Sequence, residues 1–356
     1  MQDDEDYRNY DHELAKCKIE TVAACHAFEG NHRFKRPYVY GLMSALQLLG
    51  IELPIFESAV LQSFSKDKHQ VVVPTLDQRL GRSTKRGGEI RSFAWNLPLD
   101  TVEVSEGITC TSPVCTWTML AQWLSFEELV LLGYAIRRRK PLHPPVERED
   151  FEDYMDRVAA ACQAQGRRLP KGMRSCRLAL PLIHGGTDSR QEARLILALL
   201  CHGLPLPARN ATMQAWDGSV FSLDAAYPEA RLAVEYDGKF HREQWQEDSD
   251  RRALIEETGW IYVQVTEALF AAEGRQAMLV ERLAALLAER TGIQYDTTSV
   301  LSLEELAKAC RRRDIALGRR KIPHSGPPTP APEGVVKPYR PSPGEITVSD
   351  EWIDVA

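Results

Sequence analysis

Phe221-Ser222-Leu223-Asp224-Ala225-Ala226-Tyr227-Pro228-Glu229-Ala230-Arg231-Leu232-Ala233-Val234-Glu235-Tyr236-Asp237-Gly238 decides how the second half of this chain is read. Val220 to Ala225 and Arg231 to Asp237 read as strands joined by a turn at Pro228-Glu229, and Asp217-Gly218 ahead of them is a strong hairpin signal. Strand side chains alternate with period 2, so Leu232, Val234 and Tyr236 point one way and Ala233, Glu235 and Asp237 the other. With the turn centred between Pro228 and Glu229, Asp224 is expected opposite Ala233, on the face that carries Glu235 and Asp237. Carboxylates gathered on one patch repel one another, and a cation relieves that repulsion. Hard oxygen ligands suit Mg2+ or Mn2+, which keep several waters and bind phosphate. Such an ion acidifies bound water and neutralises charge developing on phosphate oxygens. Taken alone, Asp-x(10)-Glu-x-Asp equally describes the exposed polar face of a half-buried hairpin.

Outward from this stretch, the order reads helix, three strands, helix, strand, helix over residues 181–292. Several surrounding pieces fit one pattern. Ser189-Arg190-Gln191-Glu192-Ala193-Arg194 opens a helix that ends at Gly203-Leu204-Pro205-Leu206-Pro207. His241 and Asp250-Arg251-Arg252 follow the acidic strands, and Gly259-Trp260-Ile261-Tyr262-Val263-Gln264-Val265-Thr266 is a further strand. Together these residues resemble a bacterial domain family similar to the very short patch repair endonucleases, within the PD-(D/E)XK restriction-endonuclease-like superfamily.

That resemblance implies a restriction-endonuclease-like α/β fold and metal-dependent hydrolysis of DNA phosphodiester bonds. Asp224 matches the first metal-binding aspartate and Glu235 the second acid. Asp237 stands where the broader superfamily has a lysine, and would bind metal or orient water. His241 would act as general base or acid, and Glu192 would complete the site through water. Each has a plainer alternative. Ser189-x-x-Glu192 is itself a capping box; Asp250 reads as a helix N-cap; Arg251 and Arg252 either meet a phosphate or form a solvated face; and His241 can be a surface histidine. The alternative function is a DNA-binding regulator or antitoxin-like protein with a catalytically silent nuclease fold.

Residues 31–150 read as a smaller mixed α/β domain. Val71-Val72-Val73 is a strand signal, Ser112-Pro113 opens a helix, and Ser125-Phe126-Glu127-Glu128 fits a capping box. Ser44 to Pro54, Gln70 to Pro74 and Thr111-Ser112-Pro113 resemble the core of AbiEi-type antitoxins, which implies a toxin–antitoxin partner as an alternative to a homodimer. Arg137-Arg138-Arg139-Lys140 end the second helix, where cations favour the negative dipole end.

Residues 1–30 form an acidic segment, with four acids in the first six positions. Residues 151–180 read as a charged connecting helix and loop, and 293–321 as a basic helix whose arginine runs (Arg311 to Arg313, Arg319 to Lys321) are candidates for phosphate contacts. Residues 322–356 form a tail expected to be disordered, with eight prolines between 322 and 344.

The net charge of −6 leaves DNA binding to local basic patches. Eight cysteines without a Cys-x-x-Cys pair read as thiols of a reducing compartment. Without a charged-then-apolar leader, and with no apolar run longer than Leu195 to Cys201, a cytoplasmic protein without a membrane segment is expected.

Overall fold

Short runs of apolar or alternating residues bounded by turn residues become the strands, and apolar residues at helical spacing become helices that cover them. The structure is a computed structural model that describes residues 3–31, 38–56, 69–78, 90–237, 245–270 and 273–310. It is a mixed α/β protein that divides into two units, Met1–Arg190 and Gln191–Ala356. The Arg311 to Arg313 and Arg319 to Lys321 runs and the proline-rich tail lie outside the described residues.

In the first unit, β1 (Val39–Tyr40), β2 (His69–Val73), β3 (Ile90–Ala94), β4 (Thr101–Ser105) and β5 (Ile108–Thr111) form a mixed sheet of order β3-β2-β1-β5-β4. The acidic start of the chain is helix α1 (Asp3–Asn31). Helix α2 (Leu42–Leu49) is buried on nearly every side, as its largely apolar sequence requires. It is tied to β2 by two side-chain bonds: Gln70 N–H donates to Ser44 Oγ and Met43 N–H to Gln70 Oε1, both at 2.9 Å. Ser112 caps α3 (Pro113–Leu120), its Oγ accepting from Cys115 N–H.

Ser125 likewise caps α4 (Phe126–Ile136). The expected reciprocal half of that capping box differs. Glu128 accepts from Ile55 N–H at 2.8 Å and pairs with Arg190, so its carboxylate is a buried tie between distant segments. The expected connecting helix also has another role. In α5 (Arg148–Ala164), Phe151, Tyr154, Met155, Val158 and Cys162 are buried, and Phe151 meets Trp117 edge-on at 4.9 Å. This helix therefore belongs to the core of the first unit. Helix α6 (Met173–Ala179) follows it.

The arginines after α4 fasten the segment that ends this unit. Arg137 Nη1 donates to the carbonyls of Ile183 and His184, Arg138 donates to the Asp188 carbonyl, and Arg139 pairs with the Asp188 carboxylate. Their charge serves this anchoring as well as the helix dipole, and residues 181–190 fall within the first unit.

The second unit contains α7 (Arg190–Cys201), β6 (Ala208–Gln214), β7 (Val220–Tyr227), β8 (Leu232–Asp237), α8 (Trp245–Glu257), β9 (Ile261–Thr266), α9 (Glu267–Phe270), α10 (Glu273–Thr291) and α11 (Leu303–Ala309). Its sheet has the order β6-β7-β8-β9, antiparallel except for the parallel β8–β9 pair. On one face Ala225, Tyr227, Leu232, Val234, Val263 and Val265 pack with Leu195 and Leu199 of α7 and Leu279, Val280, Leu283 and Leu287 of α10. On the other, Met213, Leu223, Ala226 and Ala233 pack with Ile255 of α8 and with Trp260. The sheet thus lies between two helical layers.

All eight cysteines are thiols rather than disulfides; six are buried, and Cys17 and Cys310 are partly accessible. Burial pushes the Cys25 thiol up to about 11 and the Cys115 thiol up to about 12. No helix among the described residues is long and apolar enough to cross a membrane.

Gly133 of α4 lies against the side chain of Ile183. A Cβ there would stand 2.2 Å from Ile183 Cδ1 and 2.7 Å from its Cγ1. Ile183 is buried and stiff at χ1, so it cannot yield. Gly133→Ala is therefore expected to cost about 1–3 kcal/mol of stability in urea unfolding; an unchanged midpoint would show that the 183–188 segment is loosely held.

Candidate functional site

The acidic stretch is placed by an irregularity in the sheet. β7 and β8 pair Tyr227 with Leu232, Ala226 with Ala233 and Ala225 with Val234, and the ladder stops there. The turn is a 3-10 turn over Pro228–Ala230, closed by Arg231 at φ +47°. Asp224 is consequently not opposite Ala233: carried one step on, the register brings it level with Glu235. The expected pairing was off by two residues, because the turn closes on Tyr227 and Leu232 and leaves Arg231 outside β8. A shift of two preserves the alternation.

On the other side of β7, Arg209 pairs with Ala225 and Ala211 with Leu223, and the ladder register passes over Asn210 and Asp224 between them. Asn210 has φ +47°, a left-handed conformation that asparagine tolerates better than most residues. Leu223 and Ala226 both pack in the cluster facing α8, although an unbroken strand sends residues three apart to opposite faces. Asp224 therefore sits at a slip in the pleat, the kind of local distortion that re-aims side chains.

Where the strands part, carboxylates take over from the ladder. Asp224 N–H donates to Glu235 Oε1 at 3.0 Å, and Tyr236 N–H donates to Asp224 Oδ2 at 2.9 Å. Each acid thus accepts a main-chain donor from the other strand, and both residues are only 5% exposed. Arg251, on α8, donates from Nη2 to Glu235 Oε2 at 2.9 Å and to the Ser222 carbonyl at 2.8 Å. Its guanidinium lies 5.7 Å from the Phe221 ring centroid.

Glu192, on α7, is buried and accepts from Asn210 Nδ2 at 3.3 Å, while Ser222 Oγ donates to Asn210 Oδ1 at 3.1 Å. Asn210 thereby links Glu192 to the level of Asp224. Asp237 is half-buried and accepts from Gln264 Nε2 at 2.7 Å. Tyr236 meets Phe270 edge-on at 5.9 Å; burial first, then the nearby Glu267 carboxylate, raises its hydroxyl pKa and keeps it neutral.

Asp250 is not an N-cap: α8 begins at Trp245, so Asp250 lies within the helix and exposed. Arg251 points inward, whereas Arg252 pairs with Glu256 at 2.9 Å, stacks 5.6 Å from the Tyr262 ring and is half-exposed. His241 lies outside the described residues.

Among the described residues no group of three or more His, Cys, Asp or Glu side chains is arranged to hold a metal ion. The donor set that does converge is the Asp224–Glu235 pair. Two carboxylates fit Mg2+ or Mn2+, which commonly take one or two and fill their remaining positions with water and substrate phosphate. Asn210, Ser222 and the inward role of Arg251 were missed from the sequence. An asparagine inside a strand pattern, and the placement of Arg251 one helical turn before buried Ile255, were the available signals.

No protein-family model matches the chain, and no solved structure matches it. Two uncharacterized proteins from two strains of Mycobacterium tuberculosis are each 32% identical to it over 109 residues, 30% of this chain and 39% of theirs. The chain thus spans well under half the length of these curated relatives.

Removing Glu235 should separate its structural role from its chemistry. Glu235→Ala strands the Arg251 charge and the Asp224 N–H in a nearly dry site and is expected to cost about 3–5 kcal/mol. Glu235→Gln keeps an acceptor for that N–H and should cost less. Urea unfolding checks both; a loss below about 1 kcal/mol for the alanine variant would refute the clasp as a stabilising contact.

Proposed function

We propose that the second unit is a restriction-endonuclease-like domain that hydrolyses DNA phosphodiester bonds with Mg2+ or Mn2+, acting in the cytoplasm. The observation that carries this reading is the convergence of two buried carboxylates, Asp224 and Glu235, where β7 and β8 part. Burying two acids beside each other is costly, and a neutral acceptor would serve the two main-chain N–H groups without that cost. The succession α7, three antiparallel strands, α8 and a parallel fourth strand supports the same reading.

In this proposal Asp224 and Glu235 hold the cation, which supplies charge neutralisation at phosphate and acidifies water. Asp237, one alternation further along β8, orients water. Glu192 adds a carboxylate behind the site, held by Asn210. His241 moves a proton, as the family resemblance implies, imidazole being a side chain suited to that task near neutral pH. Arg252, half-exposed on α8, is the better placed of the two arginines to meet a backbone phosphate.

The second reading, a DNA-binding regulator with a silent nuclease fold, is favoured by one contact. The Arg251–Glu235 ion pair already gives Glu235 a positive partner.

Asp224→Asn discriminates between the two. It keeps an oxygen to accept the Tyr236 N–H, so stability should stay within about 1 kcal/mol of wild type. Mn2+ binding should weaken, and cleavage of plasmid or single-stranded DNA should cease. His241→Ala should slow cleavage while leaving metal affinity nearly intact. If the wild type binds no divalent ion at millimolar concentration and Asp224→Asn leaves DNA binding unchanged, the regulator becomes the better account.

A further inference from the structure

Glu235 divides its two oxygens between two very different partners. Oε1 takes the Asp224 N–H, a contact built into the strand pair, and Oε2 takes the Arg251 guanidinium, which belongs to a side chain that can rotate. The pair is nearly dry, with side-chain exposures of 15% for Arg251 and 6% for Glu235. Charges interact strongly in such surroundings. A divalent ion on Glu235 would stand beside the guanidinium, and two positive charges so placed repel.

Among the other contacts of Arg251 are a main-chain carbonyl at Ser222 and the face of Phe221. Neither carries a negative charge, so neither alone matches what the carboxylate offers. The residual exposure of the arginine gives it a way out toward solvent. Ile255, one helical turn on and fully buried, holds α8 in place when that side chain turns away.

We propose that Arg251 is an exchangeable internal counter-ion that competes with the divalent cation for Glu235, so that loading the site requires Arg251 to leave. This inference rests on the metal-site reading above. It makes Arg251 a positioning and gating residue, and it predicts that the arginine lowers metal affinity while it stabilises the fold.

The test measures Mn2+ binding by titration calorimetry on the full chain, for wild type, Arg251→Gln, Asp224→Asn and the Asp224→Asn/Arg251→Gln double variant, with each fold checked by circular dichroism. Arg251→Gln should bind Mn2+ at least about tenfold more tightly than wild type, and the double variant should lose that gain. A folded Arg251→Gln that binds Mn2+ equally or more weakly, while Asp224→Asn still abolishes binding, overturns the competition and leaves the metal site standing. If neither wild type nor Arg251→Gln binds Mn2+ at millimolar concentration, both fall. A second measurement needs only the wild type: the nitrogen-15 side-chain signal of Arg251 should change as Mg2+ is added. An unchanged signal, with the Asp224 and Glu235 amides shifting, refutes the exchange.

Discussion

A buried main-chain N–H must find an acceptor, and at the point where β7 and β8 separate the acceptors are the carboxylates of Glu235 and Asp224. Much else in the second unit follows from that exchange. The strands can part without leaving donors unmet, and the two acids are aimed by the backbone itself rather than by flexible neighbours. Arg251 then balances one carboxylate, and Asn210 connects the same level of the sheet to Glu192 on the helix behind it. An acid held this way is fixed by the backbone of the neighbouring strand.

The first unit uses charged groups for a different end. Its arginine run after α4 and its buried Glu128 are spent on main-chain carbonyls and N–H groups that loops would otherwise leave unpaired. In the sequence such a run reads as cations meeting the negative end of a helix dipole, whereas here it also fastens a long segment with no regular strand of its own. Both units show charge doing the work of secondary structure where the ladder or helix ends.

How much was legible in the sequence can be judged residue by residue. The succession of elements in the second unit was readable because alternation at Leu232 to Asp237 and helical spacing at Leu195 to Leu199 are strong local signals. The side on which Glu235 and Asp237 fall was readable too, since parity survives a shift of two. The level of Asp224 was not, because it depends on the left-handed Arg231 that closes the turn. The slip at Asn210 was hidden for the same reason: a single backbone angle leaves almost no trace in composition. The start of α8 was obscured by its polar sequence, and Arg251 was read as surface because long-range pairing to Glu235 has no local signature.

The distribution of thiols has a practical reach beyond chemistry at the acids. Six cysteines are sealed inside the two units, several with their ionisation further suppressed by burial. The two within reach of solvent, Cys17 and Cys310, fall one in each unit. Mild labelling with a maleimide or nitroxide would therefore attach one reporter to each half of the native chain, without any engineering. Spectroscopy across that natural pair of handles would follow how the spacing of the halves responds when a nucleic acid or a metal ion is added.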